Sequence, residues 1–192
     1  MSIVLQGSTS GSITLQEPAV AGTTVLDLPA VSGTILTTTS PKAGNVIQVV
    51  QATTSTNVSV TTGGYTDTTL SATITPTSSS SKILVLVNQQ FVLSGGSGSQ
   101  YGGVRLLRDS TIIFYPPEYS GLPSEYGLGT YGSPGFYGRA LINYLDSPAT
   151  TSATTYKTQG RPYVTTSSGT MVFQTDADVD GTSTIILMEI AA

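Results

Sequence analysis

"LSATIT", residues 70–75, alternates without exception: Leu70, Ala72 and Ile74 point one way, Ser71, Thr73 and Thr75 the other. A period of two marks a strand with one buried and one wet face. After a turn of hydroxyl residues, "KILVLVNQQFVL" (82–93) drops the alternation, and its segment 83–87 is apolar throughout. The segment 184–188 of "STIILMEI" (183–190) is likewise read as apolar on both faces. Strands that are apolar on both faces belong inside a sandwich or at a subunit interface, so these two are read as central strands.

Similar short runs recur along the chain, separated by Gly, Ser and Asp turns. They occupy 45–51, 57–62, 103–108, 111–115, 139–146, 154–159 and 170–174. No window combines helical periodicity with a cap. The pattern predicts an all-β protein, an antiparallel jelly-roll-like β-sandwich over residues 41–192. "TTTSPKAGN" (37–45), with Pro41 and Gly44, marks the boundary before it.

Composition narrows the function classes. Charged residues make up 9% of the 192 residues, against about 25% in an average globular protein. Ser and Thr total 57, so hydroxyls carry the solvation that charge usually carries. The net charge is -4, and the seven Lys and Arg residues form no basic stripe, which argues against nucleic acid as a partner. Cysteine is absent, which removes disulfides and thiolate metal sites. No apolar run approaches the roughly 18 residues of a membrane span, and the N-terminus does not read as a signal peptide. The expectation is a protein made in the cytoplasm and not inserted in a membrane.

The first 40 residues are a separate object. "LQEPAVAGTTVLDLPAVSGTIL" (15–36) repeats with an offset of eleven, pairing Leu15 with Leu26, Pro18 with Pro29, Val20 with Val31 and Gly22 with Gly33. Eleven residues are one strand plus one turn. The apolar side chains are too few to offset the ordering entropy of the segment by themselves. Residues 1–40 are therefore expected to form an extended β ribbon that docks on its own domain, on sister chains or on a larger partner. Leu15, Pro18, Val20, Leu26, Leu28, Pro29, Val31, Ile35 and Leu36 are the candidate anchoring residues.

The segment "GSITLQEPAVAGTTVLDLPAVSGTILTT" resembles the N-terminal repeat of many tail-fibre and virion structural proteins of tailed bacteriophages. "SATITPTSSSSKILVLV", "YLDSPATTSATTYKTQ" and "STIILMEIAA" resemble a C-terminal domain common in phage structural proteins, notably those of cyanobacterial and marine phages. The resemblance implies a homotrimeric β appendage of the virion, assembled in the host cytoplasm beside other capsid or tail proteins. A short fibre, a head fibre, a capsid decoration protein and a small tail-tip protein all fit. The chain departs from most fibres in having no long shaft.

Chemistry is sparse. Histidine and cysteine are both missing, which excludes the Ser-His-Asp and Cys-His arrangements. A carboxylate pair could still serve a glycosidase, and Glu118 and Glu125, flanking one loop, are the least unsuitable of the acids. Solvated loop charges are the simpler reading. No catalytic residue, cofactor or metal is assigned. Asp176, Asp178, Asp180 and Gly181 match the first half of a calcium loop, but Leu187 stands where the bidentate Glu belongs. Asp180-Gly181 is also a favoured turn between strands. The segment 114–139 is read as one long loop holding Tyr115, Tyr119, Tyr126, Tyr131, Phe136 and Tyr137 among Gly and Pro. Tyr with Gly and Ser suits adaptable recognition, so these six are receptor-contact candidates with a cell-surface glycan as ligand class. Packing of the same rings onto the domain or a neighbouring subunit is the competing expectation.

Overall fold

The computed structural model describes residues 2–6, 8–16, 19–20, 42–61, 64–94, 100–116, 128–130, 135–164, 169–175 and 181–192. The chain divides into two compact units, Met1–Ile35 and Leu36–Ala192.

In the first unit β1 (Ser2–Gln6) and β2 (Ser12–Gln16) form an antiparallel hairpin. Its register pairs Ile3 with Leu15 and Leu5 with Ile13, and places Ser2 opposite Gln16 and Gln6 opposite Ser12. Val4, opposite Thr14, and Leu5 are both about half exposed. The hairpin precedes the eleven-residue repeat, most of which lies outside the described residues.

The second unit contains β3 (Val46–Thr54), β4 (Val58–Thr61), β5 (Thr66–Ile74), β6 (Lys82–Ser94), β7 (Gln100–Arg108) and β8 (Thr111–Phe114). It continues with β9 (Leu128–Thr130), β10 (Gly135–Asp146), β11 (Thr154–Val164), β12 (Thr170–Phe173) and β13 (Ser183–Ile190). All strand pairs are antiparallel and fall into two sheets, as the alternating runs predict. One sheet is built around β6. Along one edge β6 pairs first with β13 and then with β12, and along the other it pairs with β10 over residues 83–94. β3 lies outside β13, and β4 outside β12. The second sheet has the order β5-β11-β7-β8, with β9 also on β7. The segment 114–139 is thus not a single loop, because β9 and the first residues of β10 fall inside it.

The core fills the space between the sheets. Ile83, Val85, Val87, Phe91 and Leu93 of β6 face Leu70 and Ile74 of β5, Tyr156 of β11 and Leu106 of β7, all buried. Gly160 of β11 sits under the Phe173 ring so closely that an added Cβ would collide with it. A larger residue there would force the two sheets apart.

Two buried carboxylates tie the elements together. Asp146, at the end of β10, accepts both contacts from Arg108 Nη1 at 2.9 Å and a 2.7 Å bond from the Tyr156 hydroxyl, joining the two sheets. Burial, reinforced by the Asp146 carboxylate, pushes the Tyr156 hydroxyl far above its ordinary value, so it remains a donor. Glu189 of β13 accepts from Gln48 Nε2 at 2.5 Å and from the Thr77 amide and hydroxyl at 2.8 and 2.7 Å. Burial alone would raise this carboxyl, but the donors from Gln48 and Thr77 outweigh it and hold the group below its ordinary 4.5.

A lowered folded-state pKa stabilises the fold above the unfolded value and loses that contribution as pH falls through the folded one. Glu189→Gln replaces an acceptor oxygen with a donor opposite the Thr77 and Gln48 donors. We expect it to destabilise the protein by about 2 kcal/mol at pH 7. Urea unfolding should show the gap between the two proteins narrowing below about pH 4.5, because the unfolded wild type takes up a proton there and the folded one follows at lower pH.

Candidate assembly surface

The two outer faces of the sandwich differ in chemistry. On the β5-β11-β7 sheet most outward positions are hydroxyl, amide or charged, with Leu107, opposite Lys157, an apolar exception. Thr73 and Thr155 meet at 2.8 Å. Lys157 Nζ and Gln159 Nε2 donate to Asp67 at 2.9 and 2.7 Å. Arg105 donates through Nε and Nη2 to Gln159 Oε1 at 2.9 and 2.6 Å and lies 4.0 Å over the Tyr65 ring. The Lys157 hydrogen bond leads the effects that hold the Asp67 carboxyl below its ordinary value. This face is built for water.

The outer face of the β6 sheet is not. Residues paired across antiparallel strands share a face, so the register lays out its rows directly. Val49, Met188, Leu84 and Leu145 run side by side across β3, β13, β6 and β10. The next row is Gln51, Ile186, Leu86 and Asn143, and the one after it Thr53, Thr184, Asn88 and Leu141. Further along β6, Val172, Val92 and Tyr137 form another row. Lys82 and Arg139 are the charged residues on this face among the described residues; Lys82 stands at one end, and Arg139, opposite Gln90, lies between the Asn88 and Val92 rows. Leu141 is 69% exposed, Val49 55% and Leu145 51%. β10, which carries Leu141 and Leu145, is the edge strand, and among the described residues its ladder partner is β6.

The sequence-derived candidates are scattered relative to this face. Leu15 lies in β2, and Val20 is 90% exposed. Pro18, Leu26, Leu28, Pro29, Val31, Ile35 and Leu36 are outside the described residues, as are Tyr119, Tyr126, Tyr131, Glu118, Glu125 and the Asp residues 176, 178 and 180. Tyr115 and Tyr137 are exposed. Phe136 turns inward, its ring 5.8 Å from that of Phe91, and joins the edge of the core. Tyr137 shares its face with Leu141 and Leu145. Gly181 has its own packing reason, since a Cβ there would collide with the Thr175 carbonyl. Among the described residues no group of three Asp or Glu side chains could hold a metal ion.

The residues of the apolar face were not assigned from sequence. The usable signal was the missing alternation at 83–87 and 184–188. It showed that both faces of those strands are apolar, but only the register brings Val49 and Leu145 into the same row.

No protein-family model matches the chain, and no curated protein is similar to it. Among solved structures, one of the infectious bursal disease virus Gx strain overlays 100% of this chain on 47% of that chain, at 12% identity and a TM-score of 0.37. The infectious bursal virus derived T=1 particles match over 98% of this chain and 44% of that one, at 13% identity and a TM-score of 0.37. The infectious bursal disease virus VP2 subviral particle matches over 76% and 37%, at 13% and 0.36. This chain thus spans less than half the length of those it overlays. All three are virus-particle structures, but overlays this loose carry no argument about the present chain.

The inward turn of Phe136 makes a direct prediction. Phe136→Ala should cost about 2 kcal/mol or more of unfolding stability through the cavity left beside Phe91. Tyr115→Ala, on an exposed ring, should stay within about 0.5 kcal/mol. Thermal unfolding of the two variants checks this.

Proposed function

We propose that this protein is a virion structural component, a short homotrimeric fibre or capsid decoration protein of a tailed bacteriophage. In this reading residues 1–40 anchor or intertwine the chains and the sandwich of residues 41–192 projects from the particle. The observation that carries it is the inequality of the two outer faces. One is polar and suited to solvent, and the other is an apolar sheet surface of the kind that assembling proteins cover. The phrase-level resemblance of 11–38, 71–87 and 144–159 to phage structural proteins supports the virion setting, and the hairpin β1–β2 is in keeping with an extended N-terminal ribbon.

A second reading is a host-receptor contact through 114–139 to a cell-surface glycan. Its support is the exposure of Tyr115 and Tyr137 near the two ends of that segment. Antibody labelling of purified particles against residues 41–192, viewed by electron microscopy, tests both. Label on particles is expected, over the head for a decoration protein or head fibre and on the tail for a fibre. Particles free of label, with the protein left in the unassembled fraction, would refute the structural role. If Tyr126→Ala with Tyr131→Ala leaves host adsorption unchanged in labelled particles, the receptor reading falls.

A further inference from the structure

We propose that the outer face of the β6 sheet, from Val49 across to β10, is covered by the same face or the β10 edge of a second copy of this chain. This deepens the assembly reading above and rests on it, but it does not depend on where in a particle the protein sits.

Size is the first argument. Four strands stand abreast over residues 82–88 of β6, with β3, β13 and β10, and again over 91–94, with β4, β12 and β10; at about 3.3 Å per residue and about 4.8 Å between strands they present on the order of 700 Å². A standard interface takes about 800 Å² from each partner. The face is therefore large enough for stable association without further elements.

Charge and hydrogen bonding select the partner. The rows through Leu84, Leu86 and Asn88 carry no charge, and the neighbouring Arg139 is already paired within the chain, to Asn88 Oδ1 at 3.2 Å and the Thr182 carbonyl at 3.3 Å. An acidic or basic partner would find nothing to pair with at the centre, where interfaces are normally depleted of charge. The polar residues interleaved with the apolar rows are Gln51, Thr53, Asn88, Asn143 and Thr184. Each can both donate and accept. A surface of apolar rows and two-way hydrogen-bonding groups is complementary to itself, which is what an interface between identical copies requires.

The edge adds a second element. β10 runs 12 residues at the border of the sheet and exposes Tyr137, Leu141 and Leu145. Proteins protect such edges by charge, proline, bulges or a covering partner. Among the residues of β10 from 135 to 145, Arg139 is the single charge and there is no proline. A second copy seated over β10 would cover the edge and the apolar face together.

The test is the mass of the full chain in solution, by light scattering after size exclusion at about 10 µM. The wild type should run as a multiple of 19.8 kDa. Leu141→Asp with Leu145→Asp should run as the monomer, the two buried carboxylates raising the dissociation constant at least about 100-fold. Leu141→Thr with Leu145→Thr retains strand propensity and should also weaken association, which keeps the proposal open to test if the Asp pair fails to fold. Ser71→Asp with Thr73→Asp, on the polar face, should leave the mass unchanged. A wild type multimer whose mass survives both Leu pairs would overturn the choice of face while leaving assembly standing. A monomeric wild type would overturn self-association itself and leave the face to a different chain.

Discussion

The structure depends on one constraint: β6 is hydrogen-bonded along both edges and, over residues 83–87, apolar on both sides. Its inward residues, from Ile83 to Leu93, form the centre of the core. Its outward residues, Leu84 and Leu86, align with Ile186 and Met188 of β13 and cannot be turned inward, because a one-residue slip would exchange every side chain between faces. The register is locked by β13 and β12 on one side and β10 on the other. Among the described residues the outer side of the central strand is thus left part-exposed at Leu84 and Leu86, and this is the opening that the proposed second copy fills.

The remaining contacts make the sandwich rigid enough to present that face as a defined surface. Asp146 joins β10 to β7 and β11 through Arg108 and Tyr156, so the edge strand is fixed to the opposite sheet. Glu189 fastens the end of β13 to the connection after β5 through Thr77. The Phe173 ring over Gly160 sets how closely β12 and β11 approach. In each case a side chain from one sheet or its connections is satisfied by the other, and the apolar rows through Leu84 and Leu86 are left outside these contacts.

Most strands were legible from period-two alternation, with ends within a few residues. β5 shows why: Leu70, Ala72 and Ile74 are buried and Ser71 and Thr73 exposed. β1 and β9 carried too little pattern, being five and three residues long. The reading of 114–139 as one loop failed because Gly and Pro mask the strand signal of Leu128–Thr130 and Gly135–Phe136. The assembly face was only half legible. Strands apolar on both sides announced a buried or interfacial position, but which residues share a row is a matter of register, and register is set by long-range pairing. The roles of Asp146 and Glu189 were hidden for the same reason, since their partners lie far away in the chain.

The most direct test of the central claim uses the absence of cysteine in the sequence. A single cysteine at Leu145 and, in a second protein, at Ser71 would report the exposure of the two faces through their rates of maleimide labelling in the full-length wild-type background. Covering by a second copy predicts that the Leu145→Cys thiol is protected at concentrations where the chain is assembled, and becomes as reactive as Ser71→Cys on dilution. Equal, concentration-independent reactivity at both positions would contradict the claim that this face is the one the fold leaves for another copy to cover.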